Sequence, residues 1–253
     1  MSVRASIDYL AWESEFFALS TAKLNIADSA VALSCDELSC DDLPTADELN
    51  RFQLVQAKVP AQRLDVIDAL SASGFQLVEG EVDFTLPVDL TAKPAPVSAF
   101  SCRPAHESDI AGLRDVASAV FRQSRFRAPW YQPSDSGHFY ALWAEKAVLG
   151  TFDHQCLLLD DEKGRPQGFV TLRTIDEQQA RIGLLAVWRG CGNKGVGLEL
   201  MKAATSWCAE RGLNRLCVAT QAGNLAALRL YIRSGASINS TAYWFYRTGK
   251  VEK

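Results

Sequence analysis

The sequence predicts an α/β (α+β) protein of two domains, on three observations. Strand-like and helix-like segments interleave through the C-terminal half, a glycine-bearing turn there joins an apolar strand to an amphipathic helix, and the composition breaks near residue 92. The break is the stretch 86–98, which carries Pro87, Pro94 and Pro96 among small and polar residues. It predicts a smaller α/β N-terminal domain over 1–92 and a larger domain over 93–253.

Taken in order, residues 6–27 mix aromatic and polar side chains, and 35–48 are acidic and weakly patterned, which reads as loop plus a short helix. Apolar spacing over 64–70 predicts a helix that Gly74 can terminate, and alternation over 75–86 predicts a strand. Past the break, 97–103 is strand-like and 106–121 has the period of an amphipathic helix. Residues 143–148 suggest a helix, with strands at 155–160 and 167–173 around the turn 162–166. A buried strand at 181–187, a helix at 197–211, a strand at 215–220, a helix at 225–233 stopped by Gly235 and a last strand at 237–247 complete the pattern. Strands joined by short turns are free to pair antiparallel.

Composition narrows the function classes. A chain of 253 residues with 48% apolar residues can fill real cores. Its net charge of −4 comes without a dense Lys/Arg run, so no nucleic-acid partner is expected. No apolar run reaches membrane-spanning length and the N-terminus builds no signal-peptide core, so membrane insertion is not expected either. Seven scattered cysteines, an odd number, fit reduced thiols in a cytoplasm. Cys35 and Cys40 are too far apart for a C-x-x-C motif and no histidine follows at ligand spacing, so no metal is expected.

The chemistry-bearing segments are two. Gly192, Asn193, Lys194, Gly195, Val196 and Gly197 form the turn after Leu185, Ala186 and Val187 and lead into a helix. N–H groups at a helix start lack intrahelical acceptors, and glycine lets a ligand approach them, so the place suits a pyrophosphate. Further on, Asn224 is followed seven residues later by Tyr231, about two helical turns, which puts both on one face. Asn224 is also a good N-cap and Tyr231 a good core aromatic. A phenol near a cofactor sulfur can protonate a leaving thiolate.

Together these segments resemble the acetyl-CoA motifs of the GCN5-related N-acetyltransferase (GNAT) family. The resemblance implies a GNAT-type C-terminal domain with a mixed, mostly antiparallel sheet flanked by helices, acetyl-CoA as donor substrate, and no metal. It implies that Leu185 to Val187 pair with the pantetheine amides from a splayed strand, that the turn 192–197 cradles the pyrophosphate, that Asn224 contacts the cofactor and that Tyr231 is the general acid. Two positions depart from the pattern: Gly192 stands where Gln or Arg is usual, and Leu230 where a basic residue is expected, with Arg229 and Arg233 as neighbouring cations.

The attacking amine must lose a proton. His106 has a surface position near a helix start, His138 lies in a loop and His154 precedes a strand, so none suits the role. Glu79 is the preferred candidate for base or amine orientation, against a solvent-facing strand residue. In the basic and aromatic stretch 121–131, Arg125 and Arg127 could pair with a diphosphate while Trp130 or Tyr131 covers a base or sugar, against ordinary loop packing. Residues 3–7, 55–58, 77–83, 123–131, 150–156, 180–186 and 240–244 are similar to a nucleotide-sugar branch of the family. That similarity implies a nucleotide-linked amino sugar as partner, acetylated at the 4-amino group of dTDP-4-amino-4,6-dideoxy-D-galactose in enterobacterial common antigen biosynthesis, and makes 1–92 a substrate-side domain. A GNAT enzyme for another amine and a non-catalytic acetyl-CoA-binding regulatory module remain the alternatives. The aromatic stretch 243–246 suits either a homodimer interface or a core.

Overall fold

The computed structural model describes residues 5–26, 43–91, 100–121, 124–192 and 194–249. These form two compact units, one of residues 1–81, 125–133 and 240–253 and the other of 82–124 and 134–239. The units are interleaved along the chain, where composition had pointed to one cut at 92/93. A linker signal is local, and it is blind to a late strand that returns to an early one. The stretch 92–99 lies outside the described residues.

In the first unit, β1 (Ala5–Tyr9) pairs antiparallel with β2 (Thr21–Ile26), and β2 pairs parallel with β3 (Leu54–Pro60). β3 in turn pairs antiparallel with β10 (Ser237–Thr248) from Ala242↔Pro60 to Thr248↔Leu54, and β4 (Gln76–Pro87) lies on the other side of β10. β3 escaped the pattern reading because it is buried on both faces and does not alternate, as a central strand need not. Helix α1 (Ala11–Phe17), the short α2 (Ala46–Leu49) and α3 (Leu64–Ala72) complete the unit. Thr45 starts α2 with a capping box, and Gly74 follows α3 at φ +83°, a conformation that favours glycine. The core gathers Leu24, Leu49, Val55, Leu70, Phe75 and Phe245. Phe245 and Tyr246 are therefore core residues of this unit, although Tyr243 is exposed.

In the second unit the strand order is β4, β9 (Arg215–Gln221), β8 (Gln179–Val187), β7 (Pro166–Thr174), β6 (Gln155–Asp160) and β5 (Ser101–Pro104). β5/β6, β6/β7 and β7/β8 are antiparallel and β8/β9 is parallel, giving the mixed, mostly antiparallel sheet. α6 (Val196–Ala209) and α7 (Leu225–Arg233) contribute to a core with Leu172, Ile182, Leu200 and Tyr231. α4 (Ile110–Val120) and α5 (Asp135–Val148) build a separate core with Leu158, Phe169, Leu184 and Ala186. α5 begins eight residues before the helix read from the sequence and takes in His138, which is an exposed helical residue rather than a loop one. Gly137 lies within α5 where the helix meets α4, and a Cβ there would make ordinary contact with Ser118. Among the described residues, no helix is long and apolar enough to cross a membrane.

Candidate active site

In the second unit, the site residues follow from the way β8 leaves its neighbour. Its register with β9 runs from Gln179↔Arg215 to Ile182↔Val218, although β8 continues to Val187 and β9 to Gln221. Leu185, Ala186 and Val187 stay paired with β7, opposite Val170, Phe169 and Gly168. One edge of these residues is thus left with backbone groups suited to pair with ligand amides.

The strand passes through Trp188, whose N–H donates to the Gln167 carbonyl at 2.8 Å, into the turn. Gly195 is the N-cap of α6 at φ +82°, a value that requires glycine in practice, and it offers no side-chain cap. The first N–H groups of α6, from Val196 and Gly197 onward, therefore meet no side-chain acceptor at the cap and suit an anion. Gly192, Lys194 and Gly195 are exposed, and Asn193 lies outside the described residues. A Cβ at Gly197 would fall 3.1 Å from Leu230 Cδ2, so these positions carry the close packing of α6 on α7. Leu230 has a packing reason to be apolar, while Arg229 and Arg233 are exposed cations on the same helix.

Asn224 caps α7: its Oδ1 accepts from the Ala227 N–H at 3.2 Å, and its Nδ2 donates to Thr220 Oγ1 at 3.1 Å. Tyr231 is 5% exposed, with its ring edge-to-face on Phe84 at 5.6 Å. The ring is a core aromatic, but no described residue hydrogen-bonds its hydroxyl. Burial alone pushes the phenol well above its usual range, so it stays protonated at physiological pH.

In the first unit, segment 125–133 divides the residues expected at the diphosphate. The Arg125 guanidinium lies between the rings of Phe126 and Trp244, at 4.2 and 4.1 Å from their centroids. It donates to Gln56 Oε1 at 2.8 Å and to the Tyr246 hydroxyl at 2.7 Å, with Glu13 at 3.8 Å. Gln56 Nε2 donates to Glu13 at 2.7 Å and to the Tyr131 hydroxyl at 2.9 Å, and Tyr131 is buried. Arg125 and Tyr131 thus belong to an internal polar network, because a buried charge is stable only when its donors are used. Arg127 is exposed, stacks over Trp130 at 4.8 Å and donates to the carbonyls of Ala128 and Val78. Arg127 and Trp130 keep outward surface for a ligand; Glu13, Gln56, Trp244 and Tyr246 join the cluster with no local signal that could have found them.

Glu79 is partly buried on β4, and its carboxyl is raised to about 7. Burial is the main cause, Arg125 and Arg127 pull the other way, and Glu81 adds to the rise. Glu81 is held by Lys58 Nζ at 2.6 Å and by Trp244 Nε1 at 3.0 Å. His106, His138 and His154 are all exposed, and His154 Nδ1 accepts from the Thr174 N–H. Among the described residues, no group of His, Cys, Asp and Glu has the arrangement of a metal site.

Comparison with known proteins narrows the chemistry. A family model described as the Acetyltransferase (GNAT) family matches residues 119–236. The chain is 49% identical over 247 residues to the dTDP-fucosamine acetyltransferase of Escherichia coli O6:H1, covering 98% of this chain and 100% of that one. Among solved structures it is similar to a GCN5-related N-acetyltransferase from Sphaerobacter thermophilus, with a TM-score of 0.64 at 14% identity over 99% of this chain and 78% of that one. A tandem GNAT protein from the clavulanic acid biosynthesis pathway aligns with a TM-score of 0.59 at 12% identity, over 92% of this chain and 76% of that one. At such identities these two structures speak to the fold.

Proposed function

Since the chain belongs to the GNAT acetyltransferase family, we propose that it transfers the acetyl group of acetyl-CoA to the 4-amino group of dTDP-4-amino-4,6-dideoxy-D-galactose (dTDP-fucosamine), by direct attack in a ternary complex. The observation that carries the substrate is the 49% identity to the E. coli enzyme along nearly the whole chain, well beyond the residues of the family model. Acetyl-CoA as donor is supported by the open edge of Leu185 to Val187 and the uncapped start of α6. Free thiols at Cys102, Cys156, Cys191, Cys208 and Cys217 support a cytoplasmic location.

In this reading the amine lone pair attacks the thioester carbonyl, an oxyanion forms, and its collapse expels the CoA thiolate. Glu79 first takes a proton from the acceptor's ammonium, directly or through water, so that the neutral amine attacks; Tyr231 gives the thiolate its proton and is reprotonated by the one the nitrogen sheds as the amide forms. Asn224 orders the start of α7, and Arg127 and Trp130 are left to meet the nucleotide. The test is incubation with acetyl-CoA and a panel of amines that includes dTDP-fucosamine, following thiol release and the mass of each acceptor. Acetylated dTDP-fucosamine is the expected product. Turnover on another amine instead would overturn the substrate, and acetyl-CoA binding without turnover would favour a regulatory module.

The role of Glu79 predicts a pH profile. A base acts unprotonated, so kcat/KM should climb with pH up to about 7 and then level, and Glu79→Gln should flatten that limb and lower the rate about 10²-fold. Stability carries the opposite sign: between the ordinary carboxylate range and about 7 the native state binds more protons than the unfolded one, so stability falls as pH rises, and the variant should lose that slope. An unchanged pH–rate profile would return Glu79 to a purely structural place.

A further inference from the structure

β8 does not simply end its pairing with β9; it changes face at the same point. Its register with β7 shifts between Val170 and Leu172, so that Gly183 and Leu184 together oppose the single residue Thr171, a β-bulge. The effect shows in the packing. Ala180 and Ile182 belong to the core beneath α6, whereas Leu184 and Ala186, two and four residues further on, belong to the core beneath α4 and α5. Leu185 and Val187 are turned to the α6 side instead. Without the bulge, side chains at a period of two would all keep the face of Ile182.

The bulge is held by a buried chain of hydrogen bonds. Asp153, 0% exposed, accepts at Oδ2 from Trp143 Nε1 at 2.7 Å and from Thr171 Oγ1 at 2.6 Å. Thr171 has one hydroxyl proton, and the carboxylate takes it, so its oxygen is left as an acceptor. It accepts from the Leu184 N–H at 2.8 Å, in place of a ladder carbonyl. Gly183 leaves the room: a Cβ there would come 2.3 Å from Asp153 Oδ2 and 2.8 Å from Thr171 Oγ1. Asp153 Oδ1 has no hydrogen-bond partner among the described residues, a costly arrangement for a residue that only fills a core.

We propose that Asp153 and Thr171 are positioning residues for the acetyl-CoA strand, holding the bulge at Gly183–Leu184 that frees Leu185 to Val187 from β9 and turns Leu185 and Val187 to the α6 side. This role rests on the acetyl-transfer reading above. Thr171→Val keeps the shape and removes the acceptor, while Thr171→Ser keeps the hydroxyl. The valine variant should raise the Kd and KM for acetyl-CoA about tenfold or more, leave the acceptor KM within about twofold, and speed amide exchange over 183–187. The serine variant should restore all three.

An acetyl-CoA KM that does not move in Thr171→Val would overturn the proposal, as would an equal rise in both KM values. Should that variant fail to fold, Asp153→Asn decides, because it keeps an acceptor but weakens the grip on Thr171. A smaller rise confined to acetyl-CoA is then expected, and no rise overturns the idea. Wild-type protein that does not bind acetyl-CoA would sink the acetyl-transfer reading separately, and the exchange comparison would still show whether Thr171 holds the bulge.

Discussion

Replacing Tyr231 with phenylalanine should lower kcat about 10²–10³-fold while leaving acetyl-CoA affinity within about twofold of wild type. The ring would keep its place against Phe84 in the core, since the substitution removes only the hydroxyl. No described residue hydrogen-bonds that hydroxyl, so its loss strands no protein donor or acceptor and stability should hold. In the proposed mechanism that hydroxyl is the proton donor to the departing thiolate, an interaction made only as the bond breaks, and such a loss falls on kcat. Because burial raises the phenol, Tyr231 remains protonated throughout the physiological range and sets no basic limb there. Steady-state kinetics at saturating substrates with calorimetric binding would separate the outcomes. Full turnover in the variant would leave Tyr231 as a core aromatic alone.

Arg125→Met should destabilise the first unit by about 3 kcal/mol, read as a lower urea midpoint. The cation is partly buried, between two rings and beside Gln56, Tyr246 and Glu13, so its removal leaves a partly buried carboxylate and two polar groups short of a donor. Arg125→Lys should not rescue, because an ammonium lacks the planar fork that serves Gln56 and Tyr246 while stacking on Trp244. At temperatures where the variant remains folded, the acceptor KM should move little, since these donors are already used within the protein. A large KM rise with unchanged stability would instead restore Arg125 as a ligand for the diphosphate.

These two residues mark the limits of reading a chain without its fold. Tyr231 was legible because its signal is local: helical spacing from Asn224, Gly235 as a stop and a strand before it. The glycine turn into α6 was legible for the same reason, since Gly195 at positive φ and the apolar strand ahead of it leave a mark within a few residues. Arg125 carried an equally visible local mark, a cation among aromatics, and that mark pointed outward. Its partners stand 69 and 121 residues away at Gln56 and Tyr246, and no window along the chain contains them.

The same division runs through the whole molecule. By itself the sequence determined the alternation of strands and helices in the second unit, the cap at Asn224, the glycine turn and the family, because periodicity, φ preference and capping act over one or two turns of chain. Only the tertiary structure decided that β10 returns to pair with β3, that Thr171 faces a bulge at Gly183–Leu184, that Asp153 is enclosed and that the donors of Arg125 are taken by Gln56 and Tyr246. Each of those depends on which distant segments exclude water together, and burial is a property of the packed chain rather than of any residue in it.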